Sequence, residues 1–418
     1  MNRNILLSID WVTVLLYFLI ISFGMLNLYS ATYGENFQNI SFFLSPIGKQ
    51  FIFLLISLAS GIFLLVIDPK TLEPFSNFAY FISIVLLIGL FLFGKTVNLS
   101  TSWYSIGPIS LQPSEFAKIG TILVLGNYLS NIQTDIKKTS SQLKIIALLA
   151  IPVFLISFQP DLGSAIIFIA FFFPLFREGL SYIYLIVFVS ATLLFLITIS
   201  FETIITITII FLLSIIIYFF LRYINSKIKI WPIIIYTIVS IGFSFMVDYG
   251  YYELFEQRHR DRIEIFLGKK IDYKGAGYNI NQSKIAIGSG GLTGKGFLEG
   301  SQTKGNFVPQ QHTDYIFSTI GEEWGFIGSS ILITIYLALI IKIIVSAEKQ
   351  TRKFRRFFSY SVASLLFVHF LINIGMSLGI SPTIGIPLPF ISYGGSCLLV
   401  FSILIFIHLN LDANRLNE

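Results

Sequence analysis

Apolar residues in this chain come in long unbroken runs, not in alternation with polar ones. Twelve runs approach the roughly 20 residues a helix needs to cross the hydrocarbon of a bilayer. They are 11-30, 50-67, 77-94, 115-130, 145-158, 162-176, 180-201, 203-221, 231-247, 324-341, 357-380 and 386-409. Charges enter only 115-130, as Glu115 and Lys118, and Glu202 borders 180-201. The runs 145-158 and 162-176 are short and meet at Gln159-Pro160-Asp161, as a hairpin of two thin helices would. Continuous runs argue for helices, since a membrane barrel needs period-two alternation. One stretch, 249-313, breaks the pattern. It holds eleven of the 31 glycines and 15 charged residues, nine basic and six acidic.

Composition sharpens this reading. Of 418 residues 55% are hydrophobic and 12% charged, and mean hydropathy is +0.80. A soluble globular protein carries roughly 25% charged residues, so a water-soluble enzyme, a disordered chain and a nucleic-acid binder are excluded. The single cysteine, Cys397, excludes a disulfide framework and a cysteine metal cage. The first apolar run reads as a retained span, not a cleaved signal. The net charge of +6 matters through its placement. With the N-terminus inside, 16 of the 28 basic residues fall in inner loops, Arg3, Lys227 and the cluster Lys349–Arg356 among them. Short outer loops hold only Lys49 and Lys95. The positive-inside rule then places both termini in the cytoplasm. The expectation is an all-α polytopic membrane protein of about twelve helices. It forms a single membrane-embedded domain over 1-418, with 249-313 as one large extracytoplasmic loop.

Several residues invite chemistry, each with a structural alternative. Gly288-Ser-Gly-Gly-Leu-Thr-Gly-Lys-Gly296 lies near Lys284, and its amides could cradle phosphate oxygens. It lacks the Gly-Lys-Ser/Thr ending of a P-loop, and it also reads as a plain surface loop. Glu115 and Lys118 sit three apart on one helix face, as a functional pair or as an ion pair that neutralises itself. Asp161 follows Pro160 and opens a helix, where an aspartate often only caps. Asp314, in His312-Thr313-Asp314, is placed either to cap the following helix or to act as a general base. Glu322 and Glu323 follow two turns later, continuing an acidic cavity or reaching for water. His369 is a lone histidine in an apolar run. Pro387, Pro389 and Gly394-Gly395 break the last run, which a membrane tolerates only where protein or a cavity surrounds the break.

Six motifs together resemble the SEDS family of bacterial cell-wall polymerases, the RodA/FtsW/SpoVE group. They are Gln112-Pro-Ser-Glu-Phe-Ala-Lys118, Gln159-Pro-Asp-Leu-Gly163, Gly275-Ala-Gly-Tyr-Asn-Ile-Asn-Gln-Ser-Lys-Ile-Ala-Ile-Gly-Ser-Gly-Gly291, His312-Thr-Asp-Tyr-Ile-Phe317, Gly321-Glu-Glu323 and Pro387-Leu-Pro-Phe-Ile-Ser-Tyr-Gly-Gly-Ser396. The version at Gln282-Ser-Lys-Ile-Ala-Ile-Gly-Ser-Gly-Gly291 resembles the RodA branch of cell elongation more than the FtsW branch of division. The resemblance implies a peptidoglycan glycosyltransferase of the bacterial cytoplasmic membrane that polymerises lipid II on the outer face. It ties catalysis to Asp314. It implies substrate contacts for Trp103, Glu115 and Lys118, and extends them to Asp161, Gln282, Lys284, His312, Thr313 and Ser396. It also implies a class B penicillin-binding protein as partner, beside membrane lipid and the polyprenyl-pyrophosphate-linked glycan. The chain departs from the family in two ways. No arginine precedes Trp103 in Ser100-Thr-Ser-Trp103, and the family's usual ten spans leave 203-247 as an extra helix pair.

The expected chemistry is one inverting displacement, with Asp314 as base and Lys284, Lys118 and the Gly288–Gly296 amides as partners for the departing pyrophosphate. A divalent cation, Mg2+ or Mn2+, bridging phosphate to Glu115 or Asp314 fits the chemistry but is not signalled by any ligand spacing. Two rivals stand beside this reading. One is a lipid II flippase, which the span count suits but which lacks a matched pair of interrupted helices in two halves. The other is a scaffold that only recruits a partner enzyme.

Overall fold

The computed structural model describes residues 8–33, 43, 45–97, 100–107, 109–224, 229–270 and 275–415. Arg3 and Lys227, counted in the charge bias, lie outside the described residues. The chain divides into two compact units, Met1–Gly179 with Gly277–Glu418, and Leu180–Ala276.

In the first unit, α1 (Trp11–Thr32) starts at Asp10, whose carboxylate accepts from the Val12 amide at 3.2 Å and the Thr13 hydroxyl at 2.9 Å. Such a cap supplies an acceptor for amides that have no partner inside the helix. Helix α2 (Pro46–Val66) has Ser45 as cap and Pro46 in its first turn, where a missing N–H is harmless. Helix α3 (Leu72–Phe93) leads into a small antiparallel sheet of β1 (Lys95–Val97), β2 (Ser100–Ile106) and β3 (Ile109–Leu111). The sheet hands over to α4 (Pro113–Ser130), again with proline in the first turn. Then come α5 (Thr139–Ser157) and the short α6 (Leu162–Ile166), which passes through a 3-10 stretch, Ile167–Phe171, into α7 (Phe172–Arg177).

The second unit holds α8 (Ile183–Ser200), α9 (Thr203–Ile224) and α10 (Trp231–Tyr249). Helix α10 packs on both of the others. A π-helical turn, Gly250–Leu254, joins it to the amphipathic α11 (Gln257–Phe266). Ile263 and Leu267 pack on a core of Ile199, Val247 and Tyr251. Inside the apolar surroundings the Thr198 and Ser244 hydroxyls satisfy each other at 2.9 Å.

The chain returns to the first unit through α12 (Ala276–Ser289) and the single turn α13 (Ser301–Lys304). It ends in α14 (Ile316–Glu348), α15 (Lys353–Leu378) and α16 (Gly395–Ala413). Helix α14 packs on α1 and α15, and α16 on α2. Helices α15 and α16 are the most enclosed of the apolar helices.

Among the described residues, ten helices are long and apolar enough to cross a membrane. Two of the twelve runs fall outside that set. The run 115-130 lies within α4, which carries Glu115 and Lys118 among its buried residues, and 162-176 is the short α6–α7 element. The last run starts later than its apolarity predicts. Residues 386–394 are irregular and the helix begins only at Gly395, because Pro387 and Pro389 cannot donate the helical hydrogen bonds. The segment 249-313 holds helices of its own among its described residues. It contains the π turn and α11 of the second unit, and α12 and α13 of the first.

Candidate active site

Two helix breaks organise the polar residues of the first unit. The first lies in α14, where Gly325 leaves the helical region at φ 64° and ψ −162°. A broken helix leaves carbonyls and amides without partners. The glycine run supplies them. The Lys295 and Gly296 amides donate to the Glu322 and Glu323 carbonyls, both at 3.0 Å. The Phe326 and Ile327 amides donate to the Gly291 and Leu292 carbonyls at 2.9 and 3.0 Å. Glycine is required for this approach. A Cβ on Gly290 would lie 2.0 Å from the Gly321 carbonyl oxygen, and one on Gly294 would lie 2.1 Å from that of Glu323. The expected phosphate cradle is therefore corrected, since the Lys295 and Gly296 amides are spent on the helix break and those of Gly290, Gly291 and Gly294 on turns of the run itself.

Glu322 and Glu323 are buried beside this seam. Glu322 accepts from Lys295 Nζ, the Gln302 amide, the Thr303 amide and the Thr303 hydroxyl, each at 2.8 Å. Glu323 accepts from the Ser30 hydroxyl. Neither reaches for water, and Glu322 works as a latch across α13 and α14.

The second break spans residues 380–394, between α15 and α16. His312, Thr313 and Asp314 form a turn against it. The Tyr393 amide donates to the His312 carbonyl at 2.8 Å, and the two rings lie 5.9 Å apart. Burial holds the His312 imidazole below its usual pKa. The Thr313 hydroxyl closes the turn on the Gln310 carbonyl at 3.2 Å. Asp314 is half-buried, and the cap residue of α14 is Tyr315, with no side-chain cap bond. Asp314 Oδ2 faces Gly385, where an added Cβ would sit 3.3 Å away. Gly385 has φ +81°, a left-handed conformation open to glycine.

Behind this turn lies a buried polar cluster. Lys118 and Glu115 are 0% and 3% exposed and pair at 2.7 Å. Lys118 Nζ also lies 3.1 Å from His369 Nε2, and His369 Nδ1 lies 3.1 Å from the Pro387 carbonyl. A carbonyl can only accept, and an ammonium can only donate. The Pro387 contact therefore calls for a proton on His369 Nδ1, with Nε2 turned to Lys118. Glu115 Oε2 is buried with no hydrogen-bond partner. In the sequence His369 reads as a lone histidine in an apolar run. The structure gives it two polar contacts, and they join the Glu115–Lys118 pair to the second break.

The remaining expected residues are placed as follows. Asp161 caps α6 through the Ser164 amide at 3.1 Å, and its other oxygen accepts from Gln112 Nε2 at 3.0 Å and the Ser164 hydroxyl at 2.8 Å. The Ser396 hydroxyl accepts from the Gln112 amide at 3.0 Å and donates to the Ser110 carbonyl at 3.3 Å. These bonds fasten the start of α16 to β3 and α4. Trp103 is half-buried on β2, opposite Lys95. Gln282 is half-buried on α12, next to Ser283, whose hydroxyl donates to the Ser377 carbonyl at 2.8 Å. Lys284 is exposed and lies over Gly379, where a Cβ would come within 2.5 Å of its Nζ. Asn373 and Gln50 also reach the second break, and sequence reasoning did not single them out. Among the described residues no group of three or more His, Cys, Asp or Glu side chains is placed to hold a metal ion.

Fold and site together define a multi-pass helical membrane protein with a polar centre built at a broken helix. A family model described as a cell cycle protein, FtsW/RodA/SpoVE, matches residues 10–231 and 203–417, and the chain belongs to that SEDS family. Peptidoglycan glycosyltransferase MrdB of Escherichia coli K12 is 32% identical over 349 residues, covering 82% of this chain and 80% of that protein. Peptidoglycan glycosyltransferase RodA of Treponema pallidum is 35% identical over 355 residues, covering 80% and 82%. A solved structure described as the structural coordination of polymerization and crosslinking by a peptidoglycan synthase complex superposes with a TM-score of 0.71. It is 23% identical, over 98% of this chain and 99% of that one, and supports the fold.

Proposed function

We propose that this chain is a peptidoglycan glycosyltransferase of the RodA-like elongation branch. It polymerises lipid II on the outer face of the bacterial cytoplasmic membrane, beside a class B penicillin-binding protein that cross-links the product. The observation that carries the reading is the placement of Asp314. Its carboxylate faces a glycine in the segment between α15 and α16, its backbone is pinned, and the cap residue of α14 is Tyr315. The names of the relatives, MrdB and RodA, support the activity and the branch.

The reaction balances with one base. The 4-hydroxyl oxygen of the acceptor sugar bonds to the anomeric carbon of the donor. The bond from that carbon to the diphosphate breaks, and polyprenyl diphosphate leaves with the electron pair. The hydroxyl proton passes to Asp314. A single displacement inverts the centre, from an α-linked diphosphate to a β-1,4 link. The exposed Lys284 supplies positive charge toward the leaving diphosphate. Lys118 acts from the buried pair, which the His369–Pro387 contact ties to the same break. Mg2+ or Mn2+ would be held chiefly by diphosphate oxygens with one or two carboxylates, as such ions often are.

The test is polymerisation of labelled lipid II by purified protein, with and without the class B partner, beside Asp314→Ala. The expected result is polymer from wild type and none from the variant. Lipid II crossing vesicles without polymer would favour a flippase. Folded protein that forms no polymer with its partner, and moves no lipid, would favour a scaffold.

A further inference from the structure

Two of the buried carboxamides in the apolar helices of the first unit reach the second break, and the proposed chemistry uses neither. Asn373, on α15, is 0% exposed, and Gln50, on α2, is 1% exposed. Both hydrogen-bond to the backbone of the second break, and Asn373 to that of Asp314 as well. Asn373 Nδ2 donates to the Asp314 carbonyl and the Ile386 carbonyl, each at 2.8 Å. Gln50 Nε2 donates to the Ser392 carbonyl at 3.2 Å, and Gln50 Oε1 accepts from the Gly394 amide at 3.1 Å. Between those two groups lies Tyr393, whose amide holds the His312 carbonyl. One carboxamide thus ties Asp314 directly to the broken segment. The other fixes the peptide that holds the same turn two residues earlier.

We propose that Asn373 and Gln50 are positioning residues for Asp314, an inference that rests on the glycosyltransferase reading above. Backbone outside a helix in an apolar setting must find its partners on neighbouring elements. Here two side chains from two different helices supply them, at both ends of the segment 386–394. Asn373 does so while its own Oδ1 stays buried without a partner. An orphaned acceptor is unfavourable, so the arrangement is not the most stable one available. What it secures is the separation between the Asp314 backbone and the segment that carries Gly385. A base must meet its hydroxyl at hydrogen-bond distance, and a displacement of about 1 Å can cost about 100-fold in rate.

The test uses initial rates with labelled lipid II for the full chain, with its partner where wild type requires it. The variants are Asn373→Leu, Asn373→Gln, Gln50→Leu and Asp314→Asn. Leucine has the branched outline of asparagine and removes the hydrogen bonds at either position. Asn373→Leu is expected to lower kcat about 100-fold, with KM within about twofold of wild type. Asn373→Gln, which keeps two donors, recovers part of the loss. Gln50→Leu acts through Tyr393 and His312 and lowers kcat about tenfold on the same reasoning. It lies on another helix, and so keeps the test open should Asn373→Leu not fold. Wild-type kcat in both leucine variants overturns the inference. So does a parallel change of kcat, KM and melting temperature with no recovery in Asn373→Gln. A wild type without polymer, or an active Asp314→Asn, defeats the reading beneath it. An active wild type, an inactive Asp314→Asn and fully active leucine variants defeat the positioning role alone.

Discussion

Among the described residues of the first unit, the interruption inside α14 and the irregular segment between α15 and α16 are finished in different ways. At Gly325 the freed amides and carbonyls meet the glycine run backbone to backbone, and Glu322 closes the seam with Lys295 and α13. At residues 380–394 a turn at Leu388, the Tyr393 amide on the His312 carbonyl and a few side chains hold the segment at separate points, and the Gly385 amide meets the Met376 sulfur at 3.4 Å. Sulfur is a weak acceptor. The first break is matched group for group and works as structure. The second sets the Asp314 carboxylate beside Gly385, where we propose the chemistry takes place. Membrane proteins permit irregular backbone only where protein or a cavity surrounds it, and this chain uses both options some sixty residues apart.

The largest effect that would sharpen this contrast is at Gly294. It has φ +81°, and a Cβ would fall on the Glu323 carbonyl. Gly294→Ala is expected to cost about 4 kcal/mol or more. Thermal unfolding in detergent reads this, and an unchanged melting temperature would mean the seam is loose. Glu322→Gln comes next. It removes the charge that pairs with Lys295 and faces the Gln302 and Thr303 amides with a group that can donate, at about 3 kcal/mol. If polymerisation fell while melting stayed constant, Glu322 would belong to the chemistry instead. Gly288→Ala is the contrast within the same run, since no atom lies within 4 Å of its Cβ. It should stay within about 0.5 kcal/mol of wild type.

The smallest expected effect is pH dependence at His312. Burial keeps its folded pKa below the unfolded value of roughly 6.5. As pH falls below that value the unfolded chain binds the proton before the folded one does. The stability His312 contributes is therefore present above about pH 6.5 and is lost as pH drops toward the folded pKa. Melting curves of wild type and His312→Gln between pH 5 and 8 should diverge on the acid side. Identical slopes would place His312 in a wetter setting than its packing on Tyr393 implies.

Much of this was legible in the sequence, and the remainder was hidden for physical reasons. Apolar runs locate most of the long helices because lipid demands them. The motifs at Gln112, Gln159, His312 and Pro387 meet in space, because each marks a helix start or a break where polar groups collect. The glycine run misled, since a string of small residues reads alike whether it cradles a ligand or a backbone. Only the carbonyls of Glu322 and Glu323, 27 residues on from Lys295 and Gly296, decide between the two. Asn373 and Gln50 went unnoticed because a single amide in an apolar run carries no spacing signal. His369 looked isolated for the same reason, its partners being Lys118 and Pro387 on other parts of the chain.

The central claim is that chemistry belongs to the second break and structure to the first. The most direct measurement pairs lipid II polymerisation with melting temperature for Asp314→Asn. The account predicts polymerisation reduced about 1,000-fold, the scale of a lost general base, with the melting temperature unchanged. A folded Asp314→Asn that polymerises at the wild-type rate would contradict it.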